Sequence, residues 1–397
     1  MFVTHVRKVS GVNRYLVERL RPFGTTIFAE MSALAVATGS INLGQGFPDA
    51  DGPDVVKQAA MDAIAAGQNQ YAPGIGVPEL RHAIRAHQQR FYGLDFDADT
   101  EVLVTTGATE AIAASLLALC EPGDEVVTFE PYYDSYAACI AMTGARRRVV
   151  TLRPPHYAFD PDEVRAAITP RTKLILLNSP HNPTGKVFDR EELQLVAELA
   201  QEHDLLVVTD EVYEHLVFEG AHVPIATLPG MRDRTITISS GGKTFSFTGW
   251  KVGWLCGPPE LVTAVKTAKQ FLTYVSGGPF QHAIAVGLRL EDEYFTAFTA
   301  GMRDKRDRLC AGLEDAGFDV FRPQGTYFVT ADIRPFGERD GLAFCRALPE
   351  RCGVVAVPNV AFYDDVEASA PLVRFACCKQ PDVLDEACTR LKALRAT

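Results

Sequence analysis

Lys243 stands in the string Ser239-Ser240-Gly241-Gly242-Lys243-Thr244, after Thr235-Ile236-Thr237-Ile238, whose alternation predicts a short β-strand. Two hydroxyls and two glycines at the strand end let the backbone turn sharply and sit against a ligand. A primary amine fixed there by small residues can form a Schiff base with a carbonyl cofactor. Gly242-Lys243-Thr244 also imitates the end of a phosphate-binding P-loop, but that motif needs glycine at position 237, where the chain has threonine. The P-loop reading fails.

Other strand ends carry groups that could complete a site. Val102–Thr106 reads as a buried strand, and Gly107-Ala108-Thr109-Glu110 opens a helix running through Leu119. A strand turning through glycine into a helix offers free N–H groups and the positive end of the helix dipole, which suits a phosphate. Glu125–Phe129 predicts the next strand, with Pro131-Tyr132-Tyr133-Asp134-Ser135-Tyr136 at its C-terminal end. Lys173–Leu177 leads into Asn178-Ser179-Pro180-His181-Asn182-Pro183-Thr184-Gly185, a rigid polar turn where open parallel sheets bind ligands. His181 is read as a turn residue. The apolar strand from Leu205 ends in Asp210, and Tyr213 follows three residues on. In Leu372-Val373-Arg374-Phe375-Ala376 the alternation turns Arg374 to the side opposite Val373 and Phe375.

The segment Ser240–Trp254, written Ser-x-Gly-Lys-Thr-Phe-Ser-x-Thr-Gly-Trp-Lys-x-Gly-Trp, resembles the lysine segment of the class I aminotransferases, which use pyridoxal 5'-phosphate. Five separated motifs between Asn42 and Arg374 occur in that family's order. The resemblance implies an α/β, fold-type I enzyme with a mostly parallel sheet and a smaller α+β domain. It implies that Lys243 holds the cofactor and moves the proton, that Asp210 pairs with the pyridine nitrogen, and that Asn182 and Tyr213 donate to the phenolic oxygen. Gly107, Ala108, Thr109, Ser240 and Lys251 become the phosphate cup, joined by Tyr71 from the other subunit of a homodimer. Tyr133, ahead of Tyr132, becomes the residue stacked on the ring, although phenylalanine or tryptophan is frequent there. Gly46, in the arm Asn42-Leu43-Gly44-Gln45-Gly46-Phe47-Pro48, lies near the substrate, whose carboxylate falls to Arg374 with Asn182 beside it. The reaction implied is ping-pong transfer of an amino group between an L-amino acid and a 2-oxo acid.

Two related groups share further phrases with the chain: the kynurenine/glutamine aminotransferases and the actinobacterial N-succinyldiaminopimelate aminotransferases of lysine biosynthesis. Ser32-Ala33-Leu34-Ala35 and Gly107-Ala108-Thr109-Glu110-Ala111-Ile112-Ala113-Ala114 favour the second. A substrate of that kind carries carboxylates beyond the one on Arg374, so Arg21 and the arm around Gly46 are candidates to receive them. A β-lyase acting on cysteine S-conjugates, or a decarboxylase, could use the same scaffold. A DNA-binding regulator built on it would need basic helices before residue 40 and a less acidic balance.

The elements that must position these residues alternate between strand and helix from about 54 to 255, which predicts a mostly parallel sheet covered on both faces. Helices are expected over Ile27–Ala37, Pro53–Ala66, Pro78–Tyr92 and Asp189–Glu202, with long helical patterns from Glu260 to Glu314. Strands over Gly325–Thr330 and Leu372–Ala376 belong to the smaller domain. The expected division is a cofactor-binding domain over 48–290 and a small domain from 1–47 and 291–397. With 397 residues, 47% of them hydrophobic, the chain can build one large or two medium cores. The net charge of −11 argues against nucleic acid or a membrane surface as partner. No apolar run is long enough to span a bilayer, the first residues lack a signal-peptide layout, and nine scattered cysteines fit a reduced, cytoplasmic protein without a metal clip.

Overall fold

The computed structural model describes residues 14–24 and 26–396; the parts of the expected small domain at 1–13, 25 and 397 lie outside the described residues. Seven strands form the larger sheet: β1 Val102–Thr106, β2 Glu125–Glu130, β3 Arg146–Thr151, β4 Thr172–Asn178, β5 Leu206–Asp210, β6 Thr235–Ser240 and β7 Val252–Cys256, in the order β1-β7-β6-β5-β4-β2-β3. All pairings are parallel except those of β7, which runs antiparallel to both β1 and β6. The central strands are apolar and buried along almost their whole length, as strands covered on both faces must be.

Local sequence explains where the covering helices begin. Arg190–Glu202 opens on a capping box between Asp189 and Glu192, and it buries Leu193, Val196, Ala197, Leu199 and Ala200 on one face. Pro78–Tyr92 begins on proline and ends at Gly93, whose φ of 70° is the left-handed conformation that stops a helix. The long pattern after Glu260 resolves into three helices, Pro259–Lys269, Gly278–Gly287 and Asp292–Ala316.

A second sheet has four antiparallel strands, β8 Asp319–Phe321, β9 Phe328–Asp332, β10 Val357–Pro358 and β11 Leu372–Ala376, in the order β10-β11-β9-β8. The strand expected from Gly325 starts only at Phe328, because Thr326 takes φ 63° and breaks the extended run. Ile41–Asn42 pairs in parallel with Val354–Val355, so Asn42 is in a short strand and not wholly in a loop. The helix Ile27–Thr38 packs on the helix Gly341–Cys352, and this N-terminal segment shares its apolar core with the second sheet.

Candidate active site

The C-terminal ends of β1, β2, β4, β5 and β6 and the N-terminal end of β7 surround a cavity of about 390 Å³. Because β7 is reversed, its first residues lie beside the last residues of its neighbours. At that meeting point Gly107 has φ 70°, and Lys251 is itself left-handed at φ 53°. A Cβ on Gly107 would stand 3.1 Å from Lys251 Nζ, and one on Gly253 would stand 2.7 Å from the Ala108 nitrogen. The β7 backbone is therefore pressed onto the first turn of the helix Gly107–Leu119, whose N-cap Thr106 provides no side-chain cap. Ala108, Thr109, Ser240 and Lys251 all line the cavity there. Open N–H groups, a helix dipole and an ammonium together make an anion seat.

Asp210 is buried at the end of β5, where Tyr136 donates a 2.7 Å hydrogen bond to Oδ2 and the Val212 N–H lies 3.3 Å from Oδ1. Burial pushes its carboxyl up to about 6, against the two hydrogen bonds. A cation beside it would reverse that shift, so this carboxylate is poised for a positive partner. Asn178 braces the neighbouring turn: its amide donates to the Asp210 carbonyl at 2.8 Å, and its oxygen accepts from the Asn182 N–H at 2.7 Å.

Lys243 follows β6 in the four-residue helix Gly241–Thr244 and lines the cavity. Its amine donates to Tyr327 Oη at 3.0 Å and lies 5.8 Å from the Tyr213 ring centre. Burial lowers its pKa to about 8, so a minor but ready fraction of the free amine is neutral near physiological pH. Tyr133 lines the cavity. Tyr132 turns away, its backbone N–H donating to the Phe362 carbonyl at 2.9 Å and its hydroxyl to Asp364 at 2.8 Å.

Arg374 is 2% exposed and has no ion-pair partner among the described residues. Nη1 donates to Asn182 Oδ1 and Nη2 to the Gly44 carbonyl, each at 3.1 Å, while Nε has no partner. The guanidinium lies 3.9 Å from the ring centre of Phe328, 4.7 Å from Phe362 and 5.3 Å from Phe28. Burial lowers its pKa to about 10, which still leaves it charged at neutral pH. A buried cation held by neutral groups alone calls for an anionic ligand. The alternation in β11 placed this side chain on the cavity side, whereas all five residues of the strand are buried because both faces are covered.

Gly46 lines the cavity, and a Cβ there would stand 2.5 Å from Phe328 Cζ. The structure does not bring every candidate to this chain's own cavity. Tyr71 is 84% exposed and packs edge-on to Tyr274 at 5.8 Å. Arg21 is exposed on the surface, donating to the Leu16 carbonyl at 3.2 Å, and is absent from the lining. Tyr136, Phe28, Phe328 and Tyr327 carry no role in the sequence reading, since tyrosines and phenylalanines in such runs read as core, and Asn178 and Gln45 enter it only as members of their loops. Deeper in the large domain, His87 and His215 share a 2.7 Å hydrogen bond near Glu214. Burial lowers the pKa of both imidazoles, and their nitrogens lie closer than two ligands on one tetrahedral ion.

The cavity fits pyridoxal 5'-phosphate on four counts. A phosphate matches the helix terminus with Lys251, a pyridinium matches buried Asp210, an aldehyde matches the Lys243 amine, and Asn182 keeps Nδ2 for a ring oxygen. The comparisons agree. The family described as "Aminotransferase class I and II" matches residues 38–391. "Probable N-succinyldiaminopimelate aminotransferase DapC" of Mycobacterium tuberculosis is 54% identical over 389 residues, covering 95% of this chain and 98% of that protein. The solved N-succinyldiaminopimelate aminotransferase from that organism superimposes with a TM-score of 0.94 at 55% identity, covering 96% of this chain and 100% of the other. The "Methionine aminotransferase" of Escherichia coli is 39% identical, covering 95% of this chain and 97% of its own. The "Kynurenine--oxoglutarate transaminase" of Dictyostelium discoideum is 37% identical, covering 94% and 95%.

Proposed function

We propose a substrate and residue roles for this chain, which belongs to the class I and II aminotransferases and is a pyridoxal 5'-phosphate enzyme. The amino donor is N-succinyl-LL-2,6-diaminopimelate and the acceptor 2-oxoglutarate, a step in making lysine. The observation that carries this choice is the 54% identity over 389 residues to the mycobacterial protein named for that substrate, against 39% and 37% for the methionine and kynurenine enzymes.

The bound cofactor supplies an aldehyde carbon that carries the amino group between substrates and a pyridinium that withdraws electrons from the substrate Cα. Asp210, held by Tyr136, keeps a proton on the ring nitrogen. The Gly107–Thr109 turn, Ser240 and Lys251 bind the phosphate. Asn182 and Tyr213 would donate to the ring oxygen, and Tyr133 would supply the aromatic face for the ring. Arg374 grips the substrate α-carboxylate and so fixes the direction in which the Cα hydrogen points. Lys243, its pKa lowered by burial, takes that proton and returns it on the other side of the transfer. Among the described residues the charged groups lining the cavity are Asp210, Lys243, Lys251 and Arg374, so on this chain the substrate's outer carboxylates meet neutral donors such as Gln45 and the arm. Arg21 is no longer a candidate for this chain's own site.

The test is kcat/KM for N-succinyl-LL-2,6-diaminopimelate, kynurenine, glutamine, methionine and a cysteine S-conjugate, with product analysis. The succinylated donor is expected to lead by roughly 100-fold, as a few well-placed hydrogen bonds allow. Preference for another donor, or elimination in place of transfer, would replace this reading.

The same reading takes the active unit as a cytoplasmic homodimer with shared sites and domain limits of 48–290 against 1–47 with 291–397. Support for the dimer is the exposed apolar patch of Tyr71, Phe271, Leu272 and Tyr274. The nine unpaired cysteines support a reducing compartment, which cell fractionation tests. Among the described residues no helix is long and apolar enough to cross a membrane. Sedimentation should give twice 43.4 kDa, and Tyr71→Phe should weaken cofactor retention without lowering Tm. An active monomer would end the shared-site reading.

A further inference from the structure

We propose that Tyr327 is a positioning residue that holds the Lys243 amine with its lone pair free, and that the 42–48 arm sets this arrangement. Tyr327 is 1% exposed and sits edge-on to Tyr213 at 5.3 Å. Its oxygen accepts from Lys243 Nζ at 3.0 Å, while its own O–H donates to the Gly46 carbonyl at 2.6 Å. A phenol has one proton to give. With that proton committed to Gly46, Tyr327 can only accept from the lysine. The amine is then anchored through an N–H, and the lone pair that must collect a proton is left open. A phenol donating to the amine would cover that lone pair.

The arm is seated tightly enough to matter. A Cβ at Gly46 would stand 2.5 Å from Phe328 Cζ and 3.3 Å from Tyr327 Cε2, so the carbonyl lies where the packed rings put it. If the arm lifts, the phenol proton loses its acceptor and is free to turn to the lysine lone pair or to the Tyr213 hydroxyl beside it. The base is thus available when the substrate arm is in place. The other titratable groups around Lys243 are Asp210, Lys251, Arg374, Cys378 and Tyr213; of these the test substitution touches Tyr213 alone, which loses a hydroxyl neighbour.

Tyr327→Phe keeps the ring and removes the acceptor. Losing an acceptor disfavours the ammonium, so in the full-length cofactor-free protein the Lys243 titration should move to lower pH by roughly half to one unit. Reductive methylation across a pH series, read by mass spectrometry of the Lys243 peptide, measures it. In the holoenzyme kcat should fall roughly 10- to 100-fold with KM little changed and cofactor content intact. The isotope effect with a Cα-deuterated donor should rise, as proton transfer becomes the slower step. An unmoved titration with an unchanged isotope effect overturns the proposal, whatever happens to kcat. The inference rests on Lys243 as proton carrier: turnover by Lys243→Ala removes that reading, whereas an inert Lys243→Ala beside an unaltered Tyr327→Phe overturns only the role of Tyr327.

Discussion

Replacing Lys243 with alanine should lower turnover by roughly 10⁴-fold or more, because one substitution removes both the covalent anchor and the proton carrier. The anion seat at Gly107 and the carboxylate of Asp210 remain, so the variant should still bind the cofactor, without the pH-dependent absorbance of the lysine-bound form. Stability separates this loss from misfolding. The folded-state pKa of Lys243 is depressed to about 8 from 10.5, so below pH 8 the folded protein carries a buried ammonium that the unfolded chain would carry in water. That penalty is complete below about 8 and fades as pH rises toward 10.5. The cofactor-free alanine variant should therefore match or exceed the parent in Tm at pH 7, with the parent recovering at alkaline pH. Near-normal transamination by this variant would remove Lys243 from the chemistry.

Arg374→Lys should lower kcat/KM for donor and acceptor alike by roughly 1.5–3 kcal/mol, about 10- to 150-fold, the range for a hydrogen bond to a charged group. The guanidinium spends one N–H on Asn182 and one on Gly44 and still has a fork to offer. An ammonium at the same place cannot hold both neighbours and a carboxylate. It would also lose the flat face that Phe328 covers at 3.9 Å. Equal kcat/KM values in variant and parent, measured in both half-reactions, would make Arg374 a packing residue.

Much of the fold was legible because β1, β2, β4, β5 and β6 each end in a phrase unlike the run before it, whereas β3, whose first half is three arginines, carries no such signal. Asp210 after Leu206–Thr209, and Asn178 through Gly185 after β4, mark both the element boundary and the chemistry. What could not be read depends on contacts between distant segments. Tyr132 and Tyr133 are adjacent and alike, yet only the loop carrying Phe362 and Asp364 decides that Tyr132 faces away from the cavity. Tyr136 looks like any buried residue of a helix until Asp210, 74 residues on, is placed against its hydroxyl. Tyr327 sits in a run rich in strand formers, and its contact with Lys243 spans 84 residues. Arg21 shows the converse: charge and proximity in sequence to the arm made it a candidate, but its guanidinium turns to its own backbone at Leu16.

The enclosure of Arg374 by Phe28, Phe328 and Phe362 has a bearing on how such an enzyme can change over evolutionary time. Apart from Tyr71, proposed to come from the other subunit, the groups proposed to hold the cofactor fall within one stretch, Gly107 to Lys251, at the ends of strands locked into a single sheet. Those that face the rest of the substrate come from the N-terminal helix, the arm and the second sheet. The two sets meet at a few contacts, Arg374 on Asn182 and Tyr327 on Lys243, so change in the second set is tolerated where those contacts are kept. New amino donors can then be acquired by altering a position such as 28, which lies against Arg374 and outside the Gly46–Tyr327–Lys243 chain, while that chain is inherited unchanged.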